Sequence, residues 1–230
     1  MTDATTPPPD SDPERGFLMR SVPVDGTNRL YTVFVPPTYV PSTPSPAIVF
    51  LNGKGECGTD GLLQITAGLG NAIIRDVKRW PFIVVFPQKR DPEILWGEDE
   101  AVVLASLEQT RREYNVDPSR IHLTGISQGG NGTWTIAARY PALFASLVVV
   151  CGWADEPTAR KVARIPAWIF HGEKDAIVPV ASSRDMDAWI RGAGGSSRLT
   201  IYPGVDHNAW DRAYAEPELP VWMAGQQIKA

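Results

Sequence analysis

The 230-residue chain holds only two cysteines and three histidines, and that scarcity closes off several chemistries. Cys57 and Cys151 have no further cysteine or histidine at metal-ligand spacing, and two cysteines do not make a disulfide framework in a chain this long. They read as free thiols. Long apolar runs are also missing. The longest, ASLVVVCGWA at 145–154, falls far short of the roughly 20 residues that span a bilayer. Basic excess is absent too: 22 Lys and Arg stand against 26 Asp and Glu, for a net charge of −4. No stripe of cations suits nucleic acid or anionic lipid. The opening MTDATTPPPDSDPERG has neither the basic nor the apolar segment of a secretory signal. It reads as a disordered tail over residues 1–15 ahead of one domain at 16–230. A cytoplasmic location is the default, and a trimmed leader would leave the same record.

What the chain does have is enough apolar residue, 43%, to bury one sizeable core. FLMRSVPV (17–24) and RLYTVFVP (29–36) flank DGTN, a hairpin signal in which Gly26 takes the positive φ of a tight turn. Thereafter short apolar runs alternate with segments of helical period. The runs are PAIVFLN (46–52), FIVVFP (82–87), RIHLTGI (120–126), ASLVVVCG (145–152), PAWIFHG (166–172) and RLTIYPG (198–204). EAVVLASLEQTRREYN (100–115) and residues 181–192 carry apolar residues at helical spacing between them. The expected fold class is α/β: a doubly wound, mostly parallel sheet with an antiparallel N-terminal hairpin. The connection between the strands near 150 and 166 is too short for a separate lid domain.

IHLTGISQGGNG (121–132) contains the pattern GxSxG as Gly125, Ile126, Ser127, Gln128 and Gly129. It lies between an expected strand and an expected helix, which is the context of a nucleophile elbow. A serine thrust out at a strained turn needs small neighbours. Gly125 and Gly129 leave that room, and Gly130 permits close packing of helix on strand.

A serine hydroxyl is a weak nucleophile at neutral pH, so it needs a histidine to take its proton and a carboxylate to orient that histidine. In α/β-hydrolases these follow in the order Ser, acid, His. His122 precedes Ser127, and His171 precedes Asp175. His207, in YPGVDHNAW (202–210) after the last strand, falls where such sheets build their sites. For the acid, Asp175 in HGEKDAIVP follows the strand at 166–171; Asp206 is the competitor, although adjacent loop side chains usually diverge. Acyl transfer also needs N–H groups aimed at the developing oxyanion. Gln128, after the nucleophile, supplies one. The second is expected from LNGKGECGTDG (51–61), where Gly53 and Gly55 free the backbone and Lys54 offers its N–H.

Taken together, NGKGECG, VDPSRIHLTGISQGGNGTW, HGEKDAIVP and DHNAWDRAY followed by PELPVWM make the chain resemble a known group. These are compact α/β-hydrolase esterases of the carboxylesterase, feruloyl-esterase and polyhydroxybutyrate-depolymerase-like kind, including predicted peptidases. The likeness covers nearly everything after the tail. It implies ester hydrolysis through an acyl-enzyme on a small-molecule substrate, with Ser127, Asp175 and His207 as triad and with no metal or organic cofactor. One departure stands out. Such families usually begin the oxyanion loop with His-Gly, whereas this chain has Asn52-Gly53 followed by Lys54.

The eight tryptophans suit substrates with apolar or aromatic parts. Trp96, on the long loop after 87–88, and Trp153, just past the strand ending at Cys151, are the candidates to line the pocket. Trp134 reads as core and Trp210 as a buttress to the histidine loop. Two alternatives accompany the ester hydrolase: a peptidase or acyltransferase on the same triad, and a non-enzymatic binding module on the same fold. Oligomeric state has no signal in the sequence.

Overall fold

The computed structural model describes residues 13–228; most of the segment read above as a tail lies outside the described residues. Eight strands form one sheet in the order β1-β2-β4-β3-β5-β6-β7-β8. β1 (Gly16–Val24) and β2 (Thr27–Val35) make the antiparallel hairpin. Its two-residue turn has Asp25 at φ 48 and Gly26 at φ 75, the doubly left-handed turn whose twist matches the strands it joins. β2 also pairs antiparallel with β4 (Ile83–Pro87). From there every pairing is parallel, through β3 (Ser45–Leu51), β5 (Val116–Ile126), β6 (Ser146–Val150), β7 (Ala167–Gly172) and β8 (Ser197–Tyr202).

Period two along the central strands sorts side chains into two cores. Val49, Leu51, Leu123, Leu147, Val149 and Ile169 face one side of the sheet, while Ile48, Phe50, Val148, Val150, Trp168 and Phe170 face the other. The first side is covered by α2 (Glu100–Glu113), α3 (Gln128–Arg139), α4 (Glu156–Val162) and α5 (Val180–Gly192), which bury Leu107, Trp134, Val162 and Met186 there. On the second side α1 (Leu69–Arg75), α6 (Trp210–Ala215) and α7 (Leu219–Ala224) bury Ile73, Tyr214 and Met223. Fully burying each such side chain contributes about 1.5–3 kcal/mol. The fold is the α/β-hydrolase architecture.

One strand boundary moved by several residues from the sequence reading. β5 begins at Val116 rather than Arg120, and its register with β3 jumps between Ser45 and Ala47. Asp117 folds the extra residues into a local turn by accepting from Ser119 N, Ser119 Oγ and Arg120 Nε. The short connection between the strands near 150 and 166 contains α4, with Asp155 capping its start through Thr158 N at 3.0 Å. Among the described residues no helix is long and apolar enough to cross a membrane.

Candidate active site

Ser127 stands between the end of β5 and the start of α3 at φ 53 and ψ −117, a strained backbone that L-residues rarely hold. The strain is tolerated because the surroundings over-determine it. Ser127 N donates to Val150 O at 2.9 Å, and its carbonyl accepts from Asn131 N at 3.1 Å. At Gly129 a Cβ would run into the carbonyl oxygens of Leu51 and Asn52, and at Gly130 it would come within 2.8 Å of Gly152 Cα. Only glycine lets α3 sit this close to β3 and β6, so the serine side chain is left as the one group that projects from the turn.

The projecting hydroxyl meets His207. Ser127 Oγ lies 2.9 Å from His207 Nε2, and His207 Nδ1 lies 2.7 Å from Asp175 Oδ2. Facing a carboxylate, Nδ1 carries the ring proton, which leaves Nε2 as an acceptor aimed at the serine. Asp175 itself is fully buried. Burial pushes its carboxyl upward, but hydrogen bonds from His207 and from the N–H groups of Val178 and Ile177 outweigh that and hold it below the usual carboxylate range. Asp206 is exposed, and the neighbouring ring turns both nitrogens elsewhere, to Asp175 and Ser127; the Asp206 backbone runs against Gly172. Trp210 meets the His207 ring edge to face at 5.4 Å, so it braces the histidine loop.

A cleft of about 710 Å³ opens over these groups. Ile126, Trp153, Ala154, Ile177, Val178, Pro179 and Trp210 give it apolar walls, and Lys54, Glu56, Gln128 and Ser182 contribute polar ones. Lys54 and Gln128 are the first residues of a short 3₁₀ turn and of α3 respectively, so their N–H groups have no partner within those helices. Both residues face the cleft beside Ser127. The Lys54 side chain leans outward to Glu93 at 2.9 Å.

Of the two tryptophans assigned to the pocket, Trp153 lines it and Trp96 does not. Trp96 is completely buried. Its side chain fills the space above Gly132, where an added Cβ would come within 2.5 Å of Trp96 Cβ, and its Nε1 donates to Asn52 O at 2.9 Å. Placement on a loop near the strand ends suggested a substrate contact, but burying a large flat side chain against the helix that follows Ser127 is the lower-energy use. Trp134 is core, with no exposure. Asn52, the departure from the resembled pattern, shapes its loop by donating from Nδ2 to Gly53 O at 2.7 Å.

Three participants were not anticipated. His171 Nε2 lies 3.1 Å from Asp175 Oδ2 and 2.9 Å from Val178 O, so it faces two acceptors and must carry the proton, while Nδ1 accepts from Ser183 Oγ at 2.7 Å. Burial lowers its pKa and keeps it neutral. Glu56 sits half-buried in the cleft wall, its carboxyl pushed up by burial. Lys89, wholly buried, reaches Gln128 Oε1 at 2.6 Å. None had a local signal; each depends on which loops the sheet brings together.

Cys57 and Cys151 are free thiols. Ligand atoms of Cys151, His171 and Asp175 gather within 4.8 Å. This is a poor metal cradle: both His171 nitrogens and both carboxylate oxygens of Asp175 already have protein partners, and burial pushes the Cys151 thiol up to about 12.

Residues 92–218, more than half the chain and the stretch that carries all three of these side chains, match the Dienelactone hydrolase family. The chain belongs to that family. Several named proteins resemble it in part. Poly(3-hydroxyalkanoate) depolymerase C of Paucimonas lemoignei is 27% identical over 47% of this chain and 28% of its own length. Feruloyl esterase B of Neurospora crassa is 27% identical over 56% of this chain and 47% of its own. A thermostable esterase of known crystal structure superposes with a TM-score of 0.81 at 33% identity, over 92% of this chain and 63% of that one. This dienelactone hydrolase family chain thus spans less than half the length of those two sequence relatives.

Proposed function

We propose that the protein is a serine carboxylic-ester hydrolase working through an acyl-enzyme. The observation that carries this reading is the unbroken hydrogen-bonded line from Ser127 Oγ through His207 to the buried Asp175, opening on a cleft with apolar walls. His207 Nε2 takes the serine proton as Oγ attacks the acyl carbon, and Asp175 stabilises the imidazolium that forms. The N–H groups of Lys54 and Gln128 receive the developing oxyanion. His207 then protonates the leaving alkoxide, and water, deprotonated by the same ring, releases the acid. Names of relatives such as feruloyl esterase and acetylxylan esterase support esters as the substrate class.

Soluble short-acyl or aryl esters suit this cleft best. Trp153, Trp210 and Pro179 offer flat apolar surface for a ring, while Lys54, Glu56, Gln128 and Ser182 make the rest of the lining polar. Each methylene left in water forgoes about 0.8 kcal/mol, so kcat/KM should stop rising once an acyl chain outgrows the walls. The test is turnover of p-nitrophenyl acetate, butyrate and palmitate, with methyl hydroxycinnamates and matched peptide amides alongside. Short or aryl esters should be preferred, with no jump in rate above the solubility limit of palmitate. Amide turnover exceeding ester turnover would move the protein to the peptidase reading.

A further inference from the structure

Lys89 lies two residues beyond β4 and has no exposed surface. No carboxylate among the described residues lies within ion-pair distance of its ammonium, which donates to Ile94 O and to Gln128 Oε1. Burial lowers its pKa, the expected response of a cation denied both water and a counter-ion. A buried unpaired ammonium is costly, and a neutral side chain of the same length would fill the space without that cost. Its partners indicate what the charge does there.

Gln128 is held at both ends of its side-chain amide: the oxygen by Lys89 and the nitrogen through donation to Pro92 O at 3.1 Å. That clamp fixes the first residue of α3, which lines the cleft and whose N–H has no partner within the helix. The same loop braces the other half-site. Asn52 O accepts from Trp96 Nε1, and the backbone N of Lys89 lies 3.5 Å from Asn52 Oδ1. The loop is in turn anchored to β2 by Arg29, which forms a two-pronged ion pair with Asp99 at 2.9 and 2.7 Å and also donates to Gln88 O.

Building on the serine-hydrolase reading, we propose that Lys89 is the positioning residue of the oxyanion half-site: it locks Gln128 through the side-chain amide and places a buried positive charge behind the N–H that receives the acyl oxygen. Such a charge acts on the transition state far more than on the bound ester, because negative charge on that oxygen appears only as the tetrahedral intermediate forms. The residue touches no reacting atom. Its contribution therefore enters through kcat and leaves KM in place.

The experiment compares wild type with Lys89→Met, which keeps length and removes charge and donor, and with Gln128→Met, which keeps the lysine but cuts the link. Each is measured for p-nitrophenyl butyrate kinetics and for inhibition by phenylboronic acid, which adds to the serine as a tetrahedral anion. Both variants should lose roughly 10- to 100-fold in kcat with KM within about twofold, and boronate affinity should fall by a similar factor. The double variant should be little worse than either single one, as expected for residues acting as a unit. Unchanged kcat and boronate affinity in Lys89→Met, or a loss confined to KM, would overturn the proposal. Should Lys89→Met not fold, Gln128→Met decides alone by the same criteria. A wild-type protein that neither turns over the ester nor binds boronate removes the serine-hydrolase reading, and this inference with it.

Discussion

Burial is the largest influence on the ionisable groups of both flanks of the cleft, and the flanks differ in whether hydrogen bonds to the charged group outweigh it. On the flank formed by the loops after β7 and β8, Asp175 is an anion with more hydrogen-bond donors than burial costs it, and His171 is held neutral behind it. On the flank formed by the loops after β3 and β4, Lys89 and Glu56 are charged groups whose dominant influence is desolvation. On the first flank the carboxylate is settled as an anion at neutral pH, with a neutral imidazole behind it. The second carries charges that the fold keeps at a cost, a pattern that fits a function more readily than a structural role.

The largest expected effect lies at Ser127, between the flanks, and at His207 on the settled one. Ser127→Ala should lower kcat for a soluble ester by about four orders of magnitude or more while leaving thermal unfolding within a few degrees, and His207→Ala should do nearly the same. Circular dichroism on the purified variants checks the fold, and p-nitrophenyl butyrate hydrolysis checks the chemistry. Substantial hydrolysis by folded Ser127→Ala would dissolve the distinction between the flanks altogether.

Next in size is the choice of carboxylate. Asp175→Asn removes the acceptor for His207 Nδ1–H and should cost roughly 10²- to 10⁴-fold in kcat. Asp206→Asn changes an exposed side chain that bonds neither ring nitrogen and should cost less than about twofold. If Asp206→Asn were the more damaging, the hydrogen-bond line drawn here would be the wrong one.

The flanks also differ in pH response. Asp175 and His171 both have folded pKa values below their unfolded ones. Each therefore contributes stability that is full above its unfolded pKa and is lost as pH falls through the folded one. Unfolding followed by fluorescence should show the loss start below about pH 6.5, where unfolded histidine takes its proton, and continue below about pH 4 with the aspartate. In Asp175→Asn the lower part of that fall should flatten. Lys89, also lowered, has the same algebra at the other end: its stabilising contribution grows as pH rises toward the unfolded lysine value. A slope that survives Asp175→Asn unchanged would take this carboxylate out of the acid response.

Much of the serine turn and of the settled flank was legible in sequence, because their parts obey rules of local order. GxSxG between a strand and a helix, a histidine after the last strand and an aspartate after the strand before it are spacings set by the topology of the sheet, and β7 and β8 fell within a residue or two of their expected bounds. The other flank hides its logic in long-range contacts. A single lysine in QKRDPE reads as solvated, and nothing in that hexapeptide says that Gln128, thirty-nine residues on, receives it. His171 was set aside as a base by chain order, and that same order conceals its role behind Asp175. The sheet register at 116–120 was missed for a similar reason: Asp117 and Pro118 look like a turn, and they are one, inserted in a strand.

The smallest effects come from the two tryptophans that sequence placed together and the fold puts apart. Trp96 bridges the second flank, filling space over Gly132 and donating to Asn52 O. Trp96→Ala should therefore cost about 3–5 kcal/mol of stability from lost packing alone, with a fall in kcat as the Asn52 carbonyl loses its partner. Trp153 is partly exposed on the cleft wall, and what anchors it is its own carbonyl accepting from Asn131 Nδ2 at 2.9 Å, a bond that survives truncation of the side chain. Trp153→Ala should leave the melting temperature within about 2 °C and raise KM for aryl esters by a few fold, in keeping with the loss of one aromatic contact worth about 1 kcal/mol. Acetate esters should register less of that change than aryl ones. The pair is informative only as a pair: a large drop in melting temperature for Trp153→Ala, or a pure KM effect for Trp96→Ala, would reverse the assignment of wall and buttress.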